Sequence, residues 1–255
     1  MILVDMNQVT ISNLMMQIKH NDLSVDLVRH LVLNSIRSYR TKFSNDYGEL
    51  ILCYDDKHYW RREYFPNYKS NRKKDRTDSS LNWNELFETL NLIRDEIKEV
   101  FPYQVLQVDG AEADDIIATI VDCVSKTPTL FEKILILSGD KDFIQLQVHN
   151  NVQQYSPTLK KYVNGKNPDD YKIEHIFKGD RGDGIPNILS PDNTFTDGLR
   201  QRPLGKKKID DWKQVGTWPI DSWNDELKRN FQRNSKLIDL SLIPDEIKNL
   251  SLIHI

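Results

Sequence analysis

Acidic side chains recur at one kind of position in this 255-residue chain. Residues 133–146 read K-I-L-I-L-S-G-D-K-D-F-I-Q-L: the apolar run 134–138 is that of a strand buried on both faces, and it breaks at Gly139 into Asp140 and Asp142. Asp5 closes M-I-L-V-D in the same way, and Asp55 and Asp56 close E-L-I-L-C-Y. The run 103–108 turns through Asp109-Gly110 into Glu112, Asp114 and Asp115, and the glycine-rich turn G-D-R-G-D-G-I-P carries Asp180 and Asp183. For any single acid, a helix cap or a solvated turn is an ordinary alternative. Four successive junctions with the same ending favour a site, because ligands of open α/β sheets sit beyond the carboxyl ends of the strands. Carboxylates gathered there would raise one another's pKa, and a divalent cation resolves that conflict. Oxygen-only ligands select hard ions, Mg²⁺ or Mn²⁺, and two such ions about 4 Å apart can activate a water and stabilise the leaving oxygen of a phosphodiester. No G-x-x-x-x-G-K-[ST] is present, which argues against a P-loop NTPase.

The elements that must position these acids follow from periodicity. Strands are expected at 1–5, 49–54, 103–108 and 134–138, with helices at 24–43, at 82–100 and directly after Gly110. A hairpin is expected from 151–155 and 160–163, then helices at 168–177, 222–240 and 243–250. The stretch 190–219 has loop composition, with the basic run Lys206, Lys207 and Lys208 and with Trp212 and Trp218 as packing anchors. The resulting fold class is α/β, a central mostly parallel sheet flanked by helices, followed by a smaller helical region. The expected division is a core over 1–165, which includes a basic segment at 57–80, and a helical region over 166–255.

Net charge is −3, but residues 57–76 carry eight cations against Glu63 and Asp75, a local +6 on a body of −9. Tyr59, Trp60, Tyr64, Phe65 and Tyr68 are interleaved with those cations, a pattern that suits nucleic acid: phosphates take the charge and bases stack on the rings. The alternative is a solvated loop whose rings rest on the body, and mobility is expected over 70–80. No apolar run approaches the roughly 20 residues of a membrane span, and the first residues are not those of a signal peptide, so a soluble chain acting without a membrane is expected. Cys53 and Cys123 read as reduced core thiols, and the six histidines show no paired metal spacing, which disfavours zinc.

Together the motifs L-V-D-M-N-Q, C-Y-D-D, Y-W-R-R-E-Y…Y-K-S-N-R, E-A-D-D, S-G-D-K-D-F and G-D-R-G-D-G-I-P resemble the 5′ nuclease, or flap endonuclease, superfamily, with its PIN-like core, and most closely the T-even phage ribonuclease H type. The resemblance implies two magnesium ions, for which Mn²⁺ can substitute. Asp5, Asp55, Glu112, Asp114 and Asp140 would serve the first, and Asp142, Asp180 and Asp183 the second, with Asp115 supporting. Arg61 and Lys69 match cations that reach toward the scissile phosphate, beside Arg62, Arg72, Lys73 and Lys74 on the same bridge. The glycine turn resembles the family's helix–three-turn–helix, at about 170–200, where Gly182 and Gly184 would meet duplex backbone and a potassium ion is sometimes held. This turn reads Asp-Gly-Ile-Pro-Asn where many relatives have Asn-Ile-Pro-Gly, which weakens the expectation of potassium.

The expected activity is therefore 5′→3′ hydrolysis of RNA–DNA hybrids and of flap or nicked duplex DNA, removing RNA primers in phage-type replication. The expected setting is the cytoplasm of an infected bacterium, with the protein a monomer and a single-strand-binding protein and a sliding clamp as partners. The alternatives are a non-catalytic nucleic-acid-binding relative and a single-strand endonuclease of related fold.

Overall fold

The computed structural model describes residues 1–17, 24–72, 81–127 and 132–253, and the chain divides into two compact units. The first comprises Met1–His58, Ser80–Gly165 and Pro244–Ile255, the second Tyr59–Ser79 and Lys166–Ile243. One change of unit along the chain falls at 165/166. The basic segment groups with the helical unit, because Phe65 and Tyr68 are buried in that unit's core, and the last helix groups with the sheet unit.

In the first unit a six-stranded sheet has the order β3-β2-β1-β4-β5-β6. Its strands are β1 (Ile2–Asp5), β2 (Leu50–Tyr54), β3 (Gln104–Gln107), β4 (Ile134–Leu137), β5 (Val152–Ser156) and β6 (Lys161–Val163), all parallel except β6. The near-continuous apolar runs of β1, β2 and β4 are what strands covered on both faces need, while β3, β5 and β6 are more polar. Register aligns the strand ends: Asp5 lies opposite Cys53, and Val4 lies opposite Leu137, so Asp5, Asp55 and Ser138 arrive at one edge. Among the described residues the helices of this unit are α1 (Met6–Gln17), α2 (Val25–Tyr47), α4 (Trp83–Val100), α5 (Ala113–Lys126) and α9 (Asp245–Ile253). Both α2 and α4 start at a side-chain cap: Ser24 accepts the Leu27 N–H at 3.3 Å, and Asn82 accepts that of Glu85 at 3.3 Å. α1 has no counterpart among the expected elements. Its apolar residues form no clean stripe, and it starts because Asp5 Oδ1 accepts the Gln8 N–H at 3.1 Å.

The second unit holds α3 (Trp60–Tyr64), α6 (Pro168–Lys178), α7 (Lys206–Val215) and α8 (Asp225–Ile238) around Phe177, Trp223, Phe231, Leu237 and Ile238. α7 falls in the stretch read as loop, and α3 in the basic segment, where no element was assigned, since each is short, strongly charged and held by a few apolar contacts, such as Ile209, and not by a long stripe. No helix among the described residues is long and apolar enough to cross a membrane. Cys53 and Cys123 are free thiols, the first buried and the second half-buried.

Candidate metal centre and basic segment

Asp5 is 4 % exposed at the end of β1. Its Oδ2 accepts the Ser138 hydroxyl at 2.9 Å and its Oδ1 the Gln8 amide, yet burial and the neighbouring Asp55 and Asp140 outweigh these bonds and push its carboxyl up to about 7. Asp55 stands at the N-terminus of α5, where its Oδ1 accepts the Ala113 N–H at 2.8 Å. Asp56 is turned to structural use: it accepts from Gly110 and His58 backbone at 3.2 and 3.3 Å, while its own N–H donates to the Ala111 carbonyl at 2.8 Å. The β2 end and the α5 approach are thereby locked together.

Glu112 and Asp115, both buried, share a capping box in which Asp115 Oδ2 accepts the Glu112 N–H at 2.9 Å. Asp114, beside them, is half-buried. Burial raises the Cys53 thiol, and Asp5 and then Asp114 add to the shift, so the structure brings Asp114 into the same charged neighbourhood. Asp140 caps the 3₁₀ segment Lys141–Val148 by accepting the Asp142 N–H at 2.9 Å, and its own N–H donates to Ser138 Oγ at 3.1 Å. Gln154 donates to the carbonyls of Ser138 and Asp140 at 3.0 and 2.5 Å, and the Gly139 N–H donates to Gln8 Oε1 at 3.2 Å. A Cβ at Gly139 would lie 2.9 Å from Gln8 Nε2, so a larger residue here would displace that side-chain amide. Asp5, Asp55, Asp114 and Asp140 thus converge at one sheet edge. Ser138, Gln8 and Gln154, which hold them, are uncharged and belong to no spacing pattern, so the sequence does not single them out.

Asp180 and Asp183 stand in the second unit. Asp180 lies 3.2 Å from His175 Nε2 and accepts the Asp183 N–H at 3.0 Å; the histidine first, then the backbone amides of Asp183 and Gly182, hold its carboxyl below the ordinary range. The Gly184 N–H donates to the Arg181 carbonyl at 3.2 Å, inside the turn, and not outward to a phosphate. Gly184 has a different job: at φ +73° it lets the Asn67 carbonyl approach to 2.8 Å from where a Cβ would be. Asp183 takes Arg72 at 2.7 Å, the Tyr68 hydroxyl at 3.0 Å and the Lys69 ammonium at 3.8 Å. Lys69 is 7 % exposed, and its ammonium also faces the rings of Tyr59 and Tyr68.

Arg62 is exposed and donates to the Tyr59 hydroxyl at 2.9 Å. Arg61, expected to reach a phosphate, is instead 3 % exposed, with Nε donating to the Leu237 carbonyl at 3.0 Å and the guanidinium packed on Trp60. Its α3 position turns it inward because the helix buries Trp60 and Arg61 together. Arg61→Ala is therefore expected to lower stability by about 2–4 kcal/mol, by leaving a buried carbonyl and an emptied pocket; denaturant melts that match wild type would refute this. Lys73 and Lys74, and most of the stretch 70–80, lie outside the described residues.

An α/β sheet with converging carboxylates at its strand ends, joined to a basic helical unit, defines a nuclease of the 5′→3′ class. A model of the 5′–3′ exonuclease N-terminal resolvase-like domain matches residues 5–176, and the chain belongs to that family of 5′–3′ exonucleases and flap endonucleases. Ribonuclease H of Enterobacteria phage T4 is 35% identical over 258 residues, covering 96% of this chain and 82% of that protein. Among solved structures, the T5 D15 protein crystallised with metal ions matches with a TM-score of 0.71 at 16% identity, over 99% of this chain and 97% of that one. The bacteriophage T5 D15 flap endonuclease in a pseudo-enzyme–product complex with DNA and metal ions matches with a TM-score of 0.70 at 18% identity, over the same shares. At these identities the likeness to the solved structures is one of fold.

Proposed function

We propose that this nuclease is a divalent-metal-dependent 5′→3′ enzyme that removes RNA primers from RNA–DNA hybrids and cuts 5′ flaps and nicked duplex DNA, by a two-metal-ion mechanism, during phage-type replication in an infected bacterium. The observation that carries the reading is Asp5: a carboxyl sealed at a strand end beside Asp55 and Asp140, and raised to about 7 by burial and by their charges. Three acids pressed together at that cost fit a hard cation, and the donor set, all oxygen, fits Mg²⁺ or Mn²⁺. Asp5, Asp55, Glu112, Asp114 and Asp140 would hold it, with Asp115 fixing Glu112 through the capping box. When bound, the ions supply neutralising charge for the phosphate and acidify the attacking water.

The chain's own cations bind and orient the substrate. Arg62 and Arg72 are exposed on the basic segment. Lys206, Lys207 and Lys208 fill the first turn of α7, where the helix macrodipole disfavours cations, a placement suited to meeting phosphate. The likeness to a ribonuclease H supports hybrid substrates, and a single-strand-binding protein and a sliding clamp are the partners expected in that setting.

Purified protein incubated with a 5′-flap duplex, a nicked duplex and an RNA–DNA hybrid is expected to cut all three in Mg²⁺ and none in chelator. Full-rate cleavage in chelator would overturn the metal reading. Binding without turnover would make the chain a non-catalytic relative, and cleavage of single strands alone would make it a single-strand endonuclease.

A further inference from the structure

The second unit contains a buried cation that the proposed reaction does not use. α8 turns Asn230, Arg233 and Asn234 inward: both amides are fully buried, and Arg233 is 5 % exposed. Such groups are costly to bury unless every donor is answered. Here the acceptors are backbone carbonyls of the irregular stretch that follows α6. Arg233 Nη2 and Asn234 Nδ2 both donate to the Pro186 carbonyl at 2.9 Å, and Asn234 also reaches the Ile176 carbonyl at 2.8 Å. Asn230 Nδ2 donates to the carbonyls of Ile188 and Ser190 at 3.0 and 3.3 Å. Arg233 Nε is taken by Asn234 Oδ1 at 2.9 Å, and its remaining nitrogen pairs with Asp192, which also holds Arg229 at 2.9 and 3.1 Å.

The scaffold continues outward. Asn187 accepts from the Leu189 amide and the Ser190 hydroxyl at 3.0 and 2.9 Å, and donates to the Arg202 carbonyl at 2.8 Å. Its backbone N–H donates to Gln201 Oε1 at 2.7 Å, and Ser190 Oγ accepts the Arg202 N–H at 2.9 Å. These bonds fix residues 201–202, and three residues later the chain enters α7 through Gly205. One buried network therefore runs from Arg233 to the exposed basic strip Arg200, Arg202, Lys206, Lys207 and Lys208.

A backbone that turns several carbonyls inward calls for positive charge among them, which is the role a potassium ion would have here. The Pro186 carbonyl, however, already accepts two donors, its full complement, and one of them belongs to a guanidinium. We propose that Arg233 is an internal cation which, with Asn230, Asn234 and Asn187, positions the basic strip 200–208 on duplex backbone, and that this stretch takes no monovalent ion. The positioning role rests on the reading of the chain as a nuclease of duplex substrates; the ion-independence does not.

Two measurements test it, both on the whole protein in chelator at fixed ionic strength. Wild-type thermal unfolding and duplex-DNA affinity are expected to be equal in potassium and sodium chloride; a higher melting temperature or a several-fold tighter duplex in potassium would overturn the claim. Arg233→Met, checked for folding by circular dichroism, is expected to weaken duplex binding about tenfold while single-strand binding stays within about twofold, since it displaces phosphate contacts made only to duplex. Duplex affinity equal to wild type in the folded variant would refute the positioning role. If Arg233→Met does not fold, Asn187→Ala, which removes the bond to the Arg202 carbonyl and those from Leu189 and Ser190 and leaves α8 intact, is judged by the same two affinities. Wild type that fails to bind duplex at all would remove the positioning role together with the nuclease reading, while the melting comparison would still judge the ion.

Discussion

Asp5→Asn is expected to abolish cleavage and, in the same protein, to raise stability when no divalent ion is present. Asp5 lies opposite Cys53 in the sheet, closed off from water, and its two hydrogen bonds, from Gln8 and Ser138, do not offset burial and the charges of Asp55 and Asp140. Its pKa of about 7 in the folded chain stands above the ordinary 3.8, so between these values the native state binds a proton that the unfolded chain has released. Stability in chelator must then fall as pH rises from about 4 to about 7, and level off above that. A shift of this size corresponds to roughly 4 kcal/mol, of which relaxation and water entry leave on the order of 2–4. Asparagine keeps a carbonyl for the Gln8 amide and removes the titration, so the variant's curve should be flat over that window. Cleavage should drop by about 10³ or more, because under the proposed reading a cation that would neutralise the phosphate loses one of its carboxylates. Thermal melts of both proteins at pH 5 and pH 8, with chelator and with Mg²⁺, settle it. A wild-type curve without slope between pH 4 and 7, or an Asn variant that cuts at wild-type rate, would refute the assignment. Added Mg²⁺ should restore the wild type at pH 8 and leave Asp5→Asn unmoved.

How far the sequence carries depends on which kind of signal a residue leaves. The strands that end in Asp5, Asp55 and Asp140 are continuous apolar runs cut by an acid, a pattern with few other readings, and the structure has them parallel with their ends aligned. The Ser24 cap is equally local and equally legible. α1 and α7 leave weaker marks. The first starts from a hydrogen bond to Asp5, and the second has three lysines in its opening turn, against helical preference. Buried polar groups are the hardest to read. Asn230, Arg233 and Asn234 follow one another at helical spacing and look like a solvated face, yet they point into the unit because an irregular backbone there needs donors. Arg61 misleads for the same reason: among so many exposed cations, nothing in its type marks it as the one that faces a carbonyl.

Lys69 separates charge from architecture within the basic segment. Its backbone is left-handed, φ 55°, and its N–H donates to the Asp183 carbonyl at 2.7 Å, so the position is fixed before the side chain is considered. The ammonium lies 3.8 Å from Asp183 and about 5 to 6 Å from the ring centres of Tyr68 and Tyr59 (5.0 and 5.6 Å), facing an acid and two ring quadrupoles. A phosphate brought near would compete with Asp183 for that proton-rich group, and Arg72 and the Tyr68 hydroxyl would remain to hold Asp183 in its place. Lys69→Met keeps the length and the apolar stem but removes the charge. It is expected to lower the single-turnover rate on a 5′-flap substrate about 10²-fold with little change in substrate affinity, the size of effect seen when one preorganised positive group facing a developing oxyanion is lost. Tyr68→Phe removes a hydroxyl from the same carboxylate and leaves the ammonium, so its rate should stay within about threefold of wild type while stability falls by about 1.5–3 kcal/mol, the worth of a hydrogen bond to a charged group. Equal losses in the two variants would mean that Lys69 acts by holding the segment in place and not by its charge, and an unchanged rate in Lys69→Met would remove it from the reaction.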